Sequence, residues 1–551
     1  MFTKHYILSF FDTKKAAIKK IKLFNRSYNK FKKNKKIFIF RKIKGELTKV
    51  NISFDNIFKK ILIFFYNDYK KIDLDLCISQ YVFQRISFRR LNLNILKSSY
   101  YNTKLIFPLP KTYHKTFSDN DVNISKITCS ILWYLYCFLL WSYGNLIFLK
   151  IIFKSFKNLN KNAKSGDLYF TQINKENLPF KSIYKKRISY DLISWFLNFY
   201  KNKDIKIKDI SHDNSTIDSY EHDMNKIYYL DHPYFFIKNF FNIIKYFIIG
   251  IFLSLLSVLL LFFGKWQFSF LIGEIFKANS FLNLDKSKIA KKYFFHYSES
   301  FYRPIWTYFA ENFNIEIILY FYSTYDSPKV ESSSNIDKSF EFGNISWSNI
   351  LVWDEIQKKT IEKYISKKIK NFQIQIVEPI WFRDKDFVFS KKKIRILIFD
   401  MEVQRNSLHF GWGEIAEYNN FDESLTFKFI KDIIEVFDNE NIEFVLKRKR
   451  KIGMNAKTNY KKYISHLKKN ISFIELDQNI SPIYLMENAN IVITTPFTSA
   501  NMYKTSKNFH NIFYDPIKFV KKNDLAARNI PIINGIDELK AWKKKNYNVD
   551  Q

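Results

Sequence analysis

The segment Ile491-Val-Ile-Thr-Thr-Pro-Phe-Thr-Ser-Ala500 reads as an apolar strand that ends in hydroxyl residues, with a helix beginning at once. In open α/β sheets, ligands sit outside the carboxyl ends of the strands. A helix N-terminus placed there offers unpaired N–H groups and partial positive charge to a phosphate. Thr495, Thr498 and Ser499 would add hydroxyl donors; the ordinary alternative is that Thr498 or Ser499 only caps the helix. Lys447-Arg-Lys-Arg-Lys451 follows an apolar stretch directly, so it too falls at a strand's carboxyl end. A diphosphate leaving group needs cations when no metal is used. Strand alternation aims some of these five residues at the crevice and leaves the others as a solvated charge run. Upstream, His296 and Glu299 close one strand and Asp354 another. An imidazole or carboxylate at such a place can take the proton of an attacking hydroxyl. The ordinary roles are a packed histidine, a turn residue and a helix cap.

These groups need sheets to hold them. From about residue 290, short apolar runs alternate with helical segments. Strands are predicted at 293–296, 315–322, 350–353 and 374–377, with helices at 306–311 and 354–368; Pro304 suits a first helical turn. Lys391-Lys-Lys393 looks like a boundary. A second alternation follows, with strands at 394–399, 443–446, 471–476, 490–494 and 511–514. Its helices are predicted at 422–437, 459–468, 481–487, 500–504 and 537–543. This β-α-β pattern is the signature of doubly wound parallel sheets. The expected fold is therefore α/β, with two Rossmann-like domains at 290–390 and 391–551 facing each other across a cleft. By fold analogy that is the shape of a GT-B glycosyltransferase or a nucleotide-sugar epimerase.

The first half reads differently. Residues 1–126 are basic and carry no assignable motif, and no secretory signal peptide is legible at the start. Residues 131–149 and 246–264 are charge-free apolar runs of 19 residues each, long enough to cross a hydrocarbon core of about 30 Å as helices. They make 127–289 a membrane-associated, α-rich region with a polar segment between two apolar helices. If both runs span, the segment 155–234 lies across the membrane from the termini; if they only dip, everything stays on one face. The more basic flanks place the protein at the cytoplasmic face of the membrane, with two transmembrane helices as one possibility.

Composition narrows the classes. The 551 residues carry 89 Lys and Arg against 52 Asp and Glu, a formal net charge of +37. With 47% hydrophobic residues the chain is not disordered, and with three cysteines (Cys77, Cys129, Cys137) it is not a disulfide scaffold. Much of the basic excess is the Lys that accompanies Asn, Ile, Phe and Tyr in AT-rich coding. The sequence contains no Gly-x-Gly-x-x-Gly, no P-loop, no His-Glu-x-x-His and no nucleophile elbow. His212, His222 and His232 recur every ten residues beside acidic neighbours, a weak metal pattern; no metal site is expected. No nucleic-acid recognition motif accompanies the charge, so nucleic acid is not an expected partner.

Several blocks together carry a family resemblance. Thr495-Pro-Phe-Thr-Ser499 resembles the signature of the polysaccharide biosynthesis PFTS-motif proteins, which serve bacterial surface carbohydrate synthesis of the O-antigen and capsule type. Arg303-Pro-Ile-Trp-Thr-Tyr308, Tyr320-Phe-Tyr-Ser323, Leu351-Val-Trp-Asp354, Pro379-Ile-Trp-Phe382, Phe513-Tyr-Asp-Pro516 and 530–539 are similar to the same family, in the same order. The likeness covers 290–545 well and 100–290 more loosely. It implies a GT-B-like, metal-independent glycosyltransferase that moves a sugar from a nucleotide-sugar donor to a glycan or lipid-linked acceptor. No cofactor is implied beyond that donor as substrate. By this likeness Thr495, Thr498, Ser499 and Asp515 would hold donor phosphate, assisted by Lys447 and Lys449. Arg303 and Trp306 would face the acceptor, and the base would be His296, Glu299 or Asp354. Met502-Tyr-Lys-Thr-Ser-Lys-Asn508 departs from the small or glycine-bearing turn often found after the motif in such transferases. Nucleotide-sugar epimerization and a non-catalytic role in polysaccharide assembly or transport are the alternatives.

Overall fold

The computed structural model describes residues 38–547 apart from interruptions, the longest being 174–190, 325–344, 381–388, 404–422, 449–457 and 503–509. The predicted boundary at 391–393 lies outside the described residues.

The chain opens with helices α1 (Phe38–Leu47), α2 (Asn56–Phe65), α3 (Leu74–Arg85), α4 (Lys111–Ser118) and the 33-residue α5 (Lys126–Asn158). Asp55 and Asp73 start α2 and α3 by accepting the N–H groups of Ile57 and Leu76. Next come β1 (Leu168–Thr171), α6 (Leu192–Lys201), β2 (Asp209–His212), β3 (Tyr220–His222) and β4 (Asn225–Tyr229). Helices α7 (Phe240–Phe262) and α8 (Gln267–Leu282) form a hairpin that turns at Gly264, whose φ of +82° suits glycine. Then follow β5 (Lys292–Phe295), α9 (Ile305–Asn312), β6 (Glu316–Tyr320), β7 (Asn349–Val352), α10 (Glu355–Glu362) and β8 (Gln373–Ile376).

These strands make one eight-stranded sheet in the order β3-β4-β2-β1-β5-β6-β7-β8, parallel except for β3. Alternate residues feed two cores. Tyr169, Tyr293, Ile317, Leu319 and Ile350 point to the face covered by α8, α9 and the N-terminal helices. Leu168, Phe170, Phe294, Ile318 and Leu351 point to the face covered by α6. The sheet therefore draws four strands from residues ahead of 290. That changes the reading of the polar segment between the apolar runs. It is not set apart from the downstream strands by a membrane, because β1 pairs directly with β5.

The C-terminal sheet comprises β9 (Ile394–Asp400), β10 (Ile442–Arg448), β11 (Phe473–Leu476), β12 (Ile491–Thr494), β13 (His510–Asp515) and β14 (Ile532–Asn534). Its helices are α11 (Glu423–Phe437), α12 (Thr458–Asn470), α13 (Pro482–Glu487) and α14 (Ile536–Asn546). The order is β11-β10-β9-β12-β13-β14, all parallel. Burial on both faces explains the near-continuous apolar runs of β9 and β12. Ile396, Phe444, Ile491 and Ile512 pack with α11 and α12, and Leu397, Val445 and Val492 pack with Leu485 and Met486 of α13. The expected α/β architecture with two parallel sheets and two long apolar helices is what the chain forms.

Candidate functional site

In the second sheet the chain runs outward from β9 through β10 to β11, then returns to the other side of β9 with β12, β13 and β14. Winding reverses between β9 and β12, and the crevice at such a switch point is the usual ligand position in an open α/β sheet. Residues 495–499 follow β12 immediately and so lie at that crevice. The first sheet has its own switch. It runs from β1 through β2 to β4, then from β5 to β8, so winding reverses between β1 and β5. His296 is the residue after β5.

The motif loop is rigidly self-bonded. The Thr498 hydroxyl donates to the Thr495 carbonyl at 2.9 Å, and the Thr495 and Thr498 hydroxyls lie 3.1 Å apart. Phe497 holds φ at +63°, unusual for a large side chain. Its ring is anchored by an edge contact to Phe513 at 5.7 Å, within a small cluster that includes Val520 and Ala527. That burial stabilises a conformation the backbone alone disfavours. Where the sequence predicts a helix from Ala500, the described residues Ser499–Met502 form a 3-10 turn; 503 and 504 lie outside the described residues. The phosphate-binding helix N-terminus expected at the motif is therefore not formed among the described residues. The hydroxyl of Ser499 points the other way, to within 3.4 Å of the Ser323 hydroxyl, a close approach longer than a normal O–H···O bond.

Ser323 lies just past β6, so this contact brings the carboxyl edges of the two sheets together. A second contact reinforces it. The Arg528 guanidinium pairs with both oxygens of Asp354, just past β7. Asp354 also caps α10 by accepting the Gln357 N–H at 2.8 Å, and Gln357 donates to the Ser323 carbonyl at 2.9 Å. One short network thus ties the ends of β6 and β7 to the second sheet. Sequence reasoning did not single out Arg528; its signal would have been two consecutive left-handed residues, Arg528 and Asn529, which no composition pattern announces.

The other predicted residues divide by environment. His296 is largely enclosed, its Nδ1 has no partner, and burial pushes its pKa down to about 4. His212 ends β2 fully buried; its Nδ1 accepts the Asn214 N–H at 3.3 Å, its Nε2 has no partner, and burial likewise takes it to about 4. Thr324 Oγ1 and Asn501 Oδ1 are also buried without partners. Orphaned buried polar atoms are uncommon, and these four all sit at or shortly past strand carboxyl ends. Of the ten-residue histidine repeat, His232 comes to 3.9 Å from Asp213, whereas His222 sits on the antiparallel strand β3. Among the described residues no group of three or more His, Cys, Asp or Glu is placed to hold a metal ion.

Three predicted contacts lie in structural positions. Arg303 is 1% exposed, donates to the Ser346 and Thr307 carbonyls and pairs with Glu311 at 2.6 Å. Trp306 is buried among Phe281, Tyr293 and Phe295. Both complete the core beneath α9. Asp515 is fully buried and accepts the N–H groups of Ile517, Phe519 and Val520, so its carboxylate shapes the turn after β13. Lys447 is buried, and its ammonium donates to the Arg448 carbonyl at 2.7 Å. Arg448 points to the other face, pairing with Glu475 and lying over Tyr460. Glu299 and Lys449 lie outside the described residues. A hollow of about 600 Å³ bounded by Glu311, Ser348, Asn349 and Gln373 opens at the amino ends of β7 and β8, the edge opposite the site.

Comparison with curated proteins returns no match. Against protein families, residues 251–543 match the model described as "Polysaccharide biosynthesis PFTS motif protein". That span runs from α7 to α14 and takes in both facing strand edges. The chain, with its Thr495-Pro-Phe-Thr-Ser499 loop at the switch point of the second sheet, belongs to the polysaccharide biosynthesis PFTS motif family.

Proposed function

We propose that the chain is a GT-B-type glycosyltransferase of surface polysaccharide synthesis, working at the cytoplasmic face of a membrane on a glycan or lipid-linked acceptor. The observation that carries this reading is the placement of the PFTS loop. It stands at the switch point of one parallel sheet and meets the carboxyl edge of the other. A nucleotide sugar bound there would set its diphosphate against the Thr495–Ser499 loop and its sugar toward the first sheet. Ser499 supplies a hydroxyl to the donor, and Thr498 keeps the loop in shape through its bond to Thr495. Departure of the diphosphate needs positive charge nearby; Arg528, at the contact between the sheets, and Lys447 supply it without a metal. On the acceptor side, His296 is the candidate base. Its Nδ1 has no partner among the described residues and so is available to accept a hydroxyl proton, although the pKa that burial gives it makes it a weak base. Asp354 is already committed to Arg528 and to the α10 cap, so it acts as a positioning residue.

Titration calorimetry of the full chain with a panel of nucleotide sugars tests the reading. Ser499→Ala is expected to weaken donor binding about tenfold, the loss of one hydrogen bond to a charged group. Thr498→Ala with Ser499→Ala should abolish it while circular dichroism stays unchanged. Donor affinity unaltered in the double variant would refute the assignment.

A further inference from the structure

We propose that α5 and α7 lie side by side in a single leaflet of an anionic membrane, so that the whole described fold stays on one side of it. This rests on the membrane part of the reading above and gives it a topology. The two helices pass any length and composition test for spanning, with mean hydropathies of 1.6 and 2.5 in their most apolar windows. Their surroundings argue for another arrangement. A stripe of buried residues, from Cys129 through Trp133, Cys137, Gly144 and Phe148 to Asn158, runs the full length of α5. Behind it lies α8, almost wholly buried, touching α5 so closely at Gly144 and Gly273 that a Cβ on Gly144 would come within 2.8 Å of backbone. Behind α8 in turn stand α9, α3 and the first sheet, with the Glu274–Lys277 ion pair and the Arg303–Glu311 pair inside. If α5 and α7 crossed a bilayer, this polar-bonded body would have to occupy the hydrocarbon beside them. Lying in the plane requires only the outer faces to meet lipid.

Those outer faces are built for it. Among the described residues 29 large hydrophobics are exposed, nine of them on α5 and ten on α7. Several polar groups of the apolar runs are turned inward, between helices. Trp141 donates to the Ser254 carbonyl at 3.1 Å, Ser254 to Asn145 Oδ1 at 2.6 Å, and Ser269 to the Ser257 carbonyl at 2.6 Å. The charges have one sign and sit at the margins. Neither helix contains Asp or Glu, and their lysines are Lys126, Lys150, Lys154, Lys157 and Lys245. An apolar strip bounded by lysines matches acyl chains flanked by anionic headgroups, whereas a second copy of this chain would set lysine margin against lysine margin.

Flotation of the purified full chain with preformed vesicles tests the lipid face. Vesicles of phosphatidylcholine and phosphatidylglycerol in equal parts should carry about tenfold more protein than phosphatidylcholine alone at low salt. The outward triple variant Leu139→Glu, Phe247→Glu, Leu255→Glu should stay unfloated with an unchanged dichroism spectrum. Topology is read separately, by impermeant maleimide labelling of Lys126→Cys and Lys157→Cys at the two ends of α5; all three native cysteines are buried. Both sites should label from the same side of host-membrane vesicles. Labelling from opposite sides would overturn the single-leaflet arrangement while leaving membrane association standing. A chain that does not float and runs as a dimer split by the triple variant would overturn the lipid assignment. Calorimetric donor binding is unaffected by either outcome.

Discussion

Replacing Asp354 separates two tasks that one carboxylate performs. It caps α10 through the Gln357 N–H, and it binds Arg528 of the other sheet. The cap is worth about 1 kcal/mol and is kept by asparagine. The ion pair is charge-assisted and partly enclosed, with 13% of the Arg528 and 29% of the Asp354 side chain exposed. That places it at about 1.5–2 kcal/mol, above the value of a fully solvated surface pair. In urea unfolding, Asp354→Asn should therefore cost about 2 kcal/mol, and Asp354→Ala about 3 kcal/mol because the cap goes too. Arg528→Gln should match the asparagine variant, and the cycle of both should show a coupling of about 1–2 kcal/mol. Since the pair joins the two sheets, its loss should also separate their transitions, visible as fluorescence and dichroism curves that no longer coincide. Single-variant costs that add to within about 0.5 kcal/mol would refute the coupling of the sheets through this pair. The same variants bear on chemistry. A positioning role predicts equal loss of turnover in Asp354→Asn and Arg528→Gln, whereas a proton-accepting role predicts a far greater loss in the former.

The packing sets three further outcomes. His212 and His296 are both held near pKa 4 by burial, below the 6.5 of a free imidazole; the unfolded chain therefore takes up protons first as pH falls. Stability should be full above about pH 6.5 and decline toward pH 4 by up to about 1.4 kcal/mol per pH unit per histidine, and His212→Asn should flatten that slope in pH-dependent urea titrations. Arg303→Met should cost about 3 kcal/mol in urea unfolding, because it removes a buried partner from Glu311 and from the Ser346 carbonyl. Gly250→Val should cost about 1–3 kcal/mol in thermal unfolding, since a Cβ there would stand 2.2 Å from the Phe148 ring where α7 crosses α5.

The C-terminal sheet was legible because its strands are short and apolar, and β9 to β12 are set apart by helices with their own period. The expected strands at 394–399, 443–446 and 490–494 differ from β9, β10 and β12 by two residues or fewer at either end. The first sheet was half hidden. β1, β2 and β4 are built from Leu168–Thr171, Asp209–His212 and Asn225–Tyr229, runs of four or five residues mixed with polar ones. Nothing local marks them; they become strands by pairing with β5 and with one another across long sequence separations. The PFTS loop was found from its hydroxyls, and the described residues just after it form a 3-10 turn, which a strand–hydroxyl–small-residue pattern suits as well as a helix start. Arg303 and Trp306 prove to be core residues, which the sequence did not announce. Large polar and aromatic side chains bury as readily as they bind, and the Arg303 partner Ser346 is 43 residues away in sequence.

The two switch points define what each half of the site can contribute. At the second sheet the crevice presents hydroxyls, the rigid backbone of the 495–499 turn, and no acidic side chain from the motif. That chemistry suits an anionic ligand held by hydrogen bonds. At the first sheet, the crevice between β1 and β5 presents a neutral imidazole whose Nδ1 lacks a partner, which suits a group that gives up a proton. Anion recognition on one edge and proton acceptance on the other is the division that sugar transfer from a diphosphate donor requires. The Ser323–Ser499 approach sets how close the two halves come. At 3.4 Å between hydroxyls the edges are nearly in contact there. Arg528–Asp354, one strand further along, is a second tie between the same two edges.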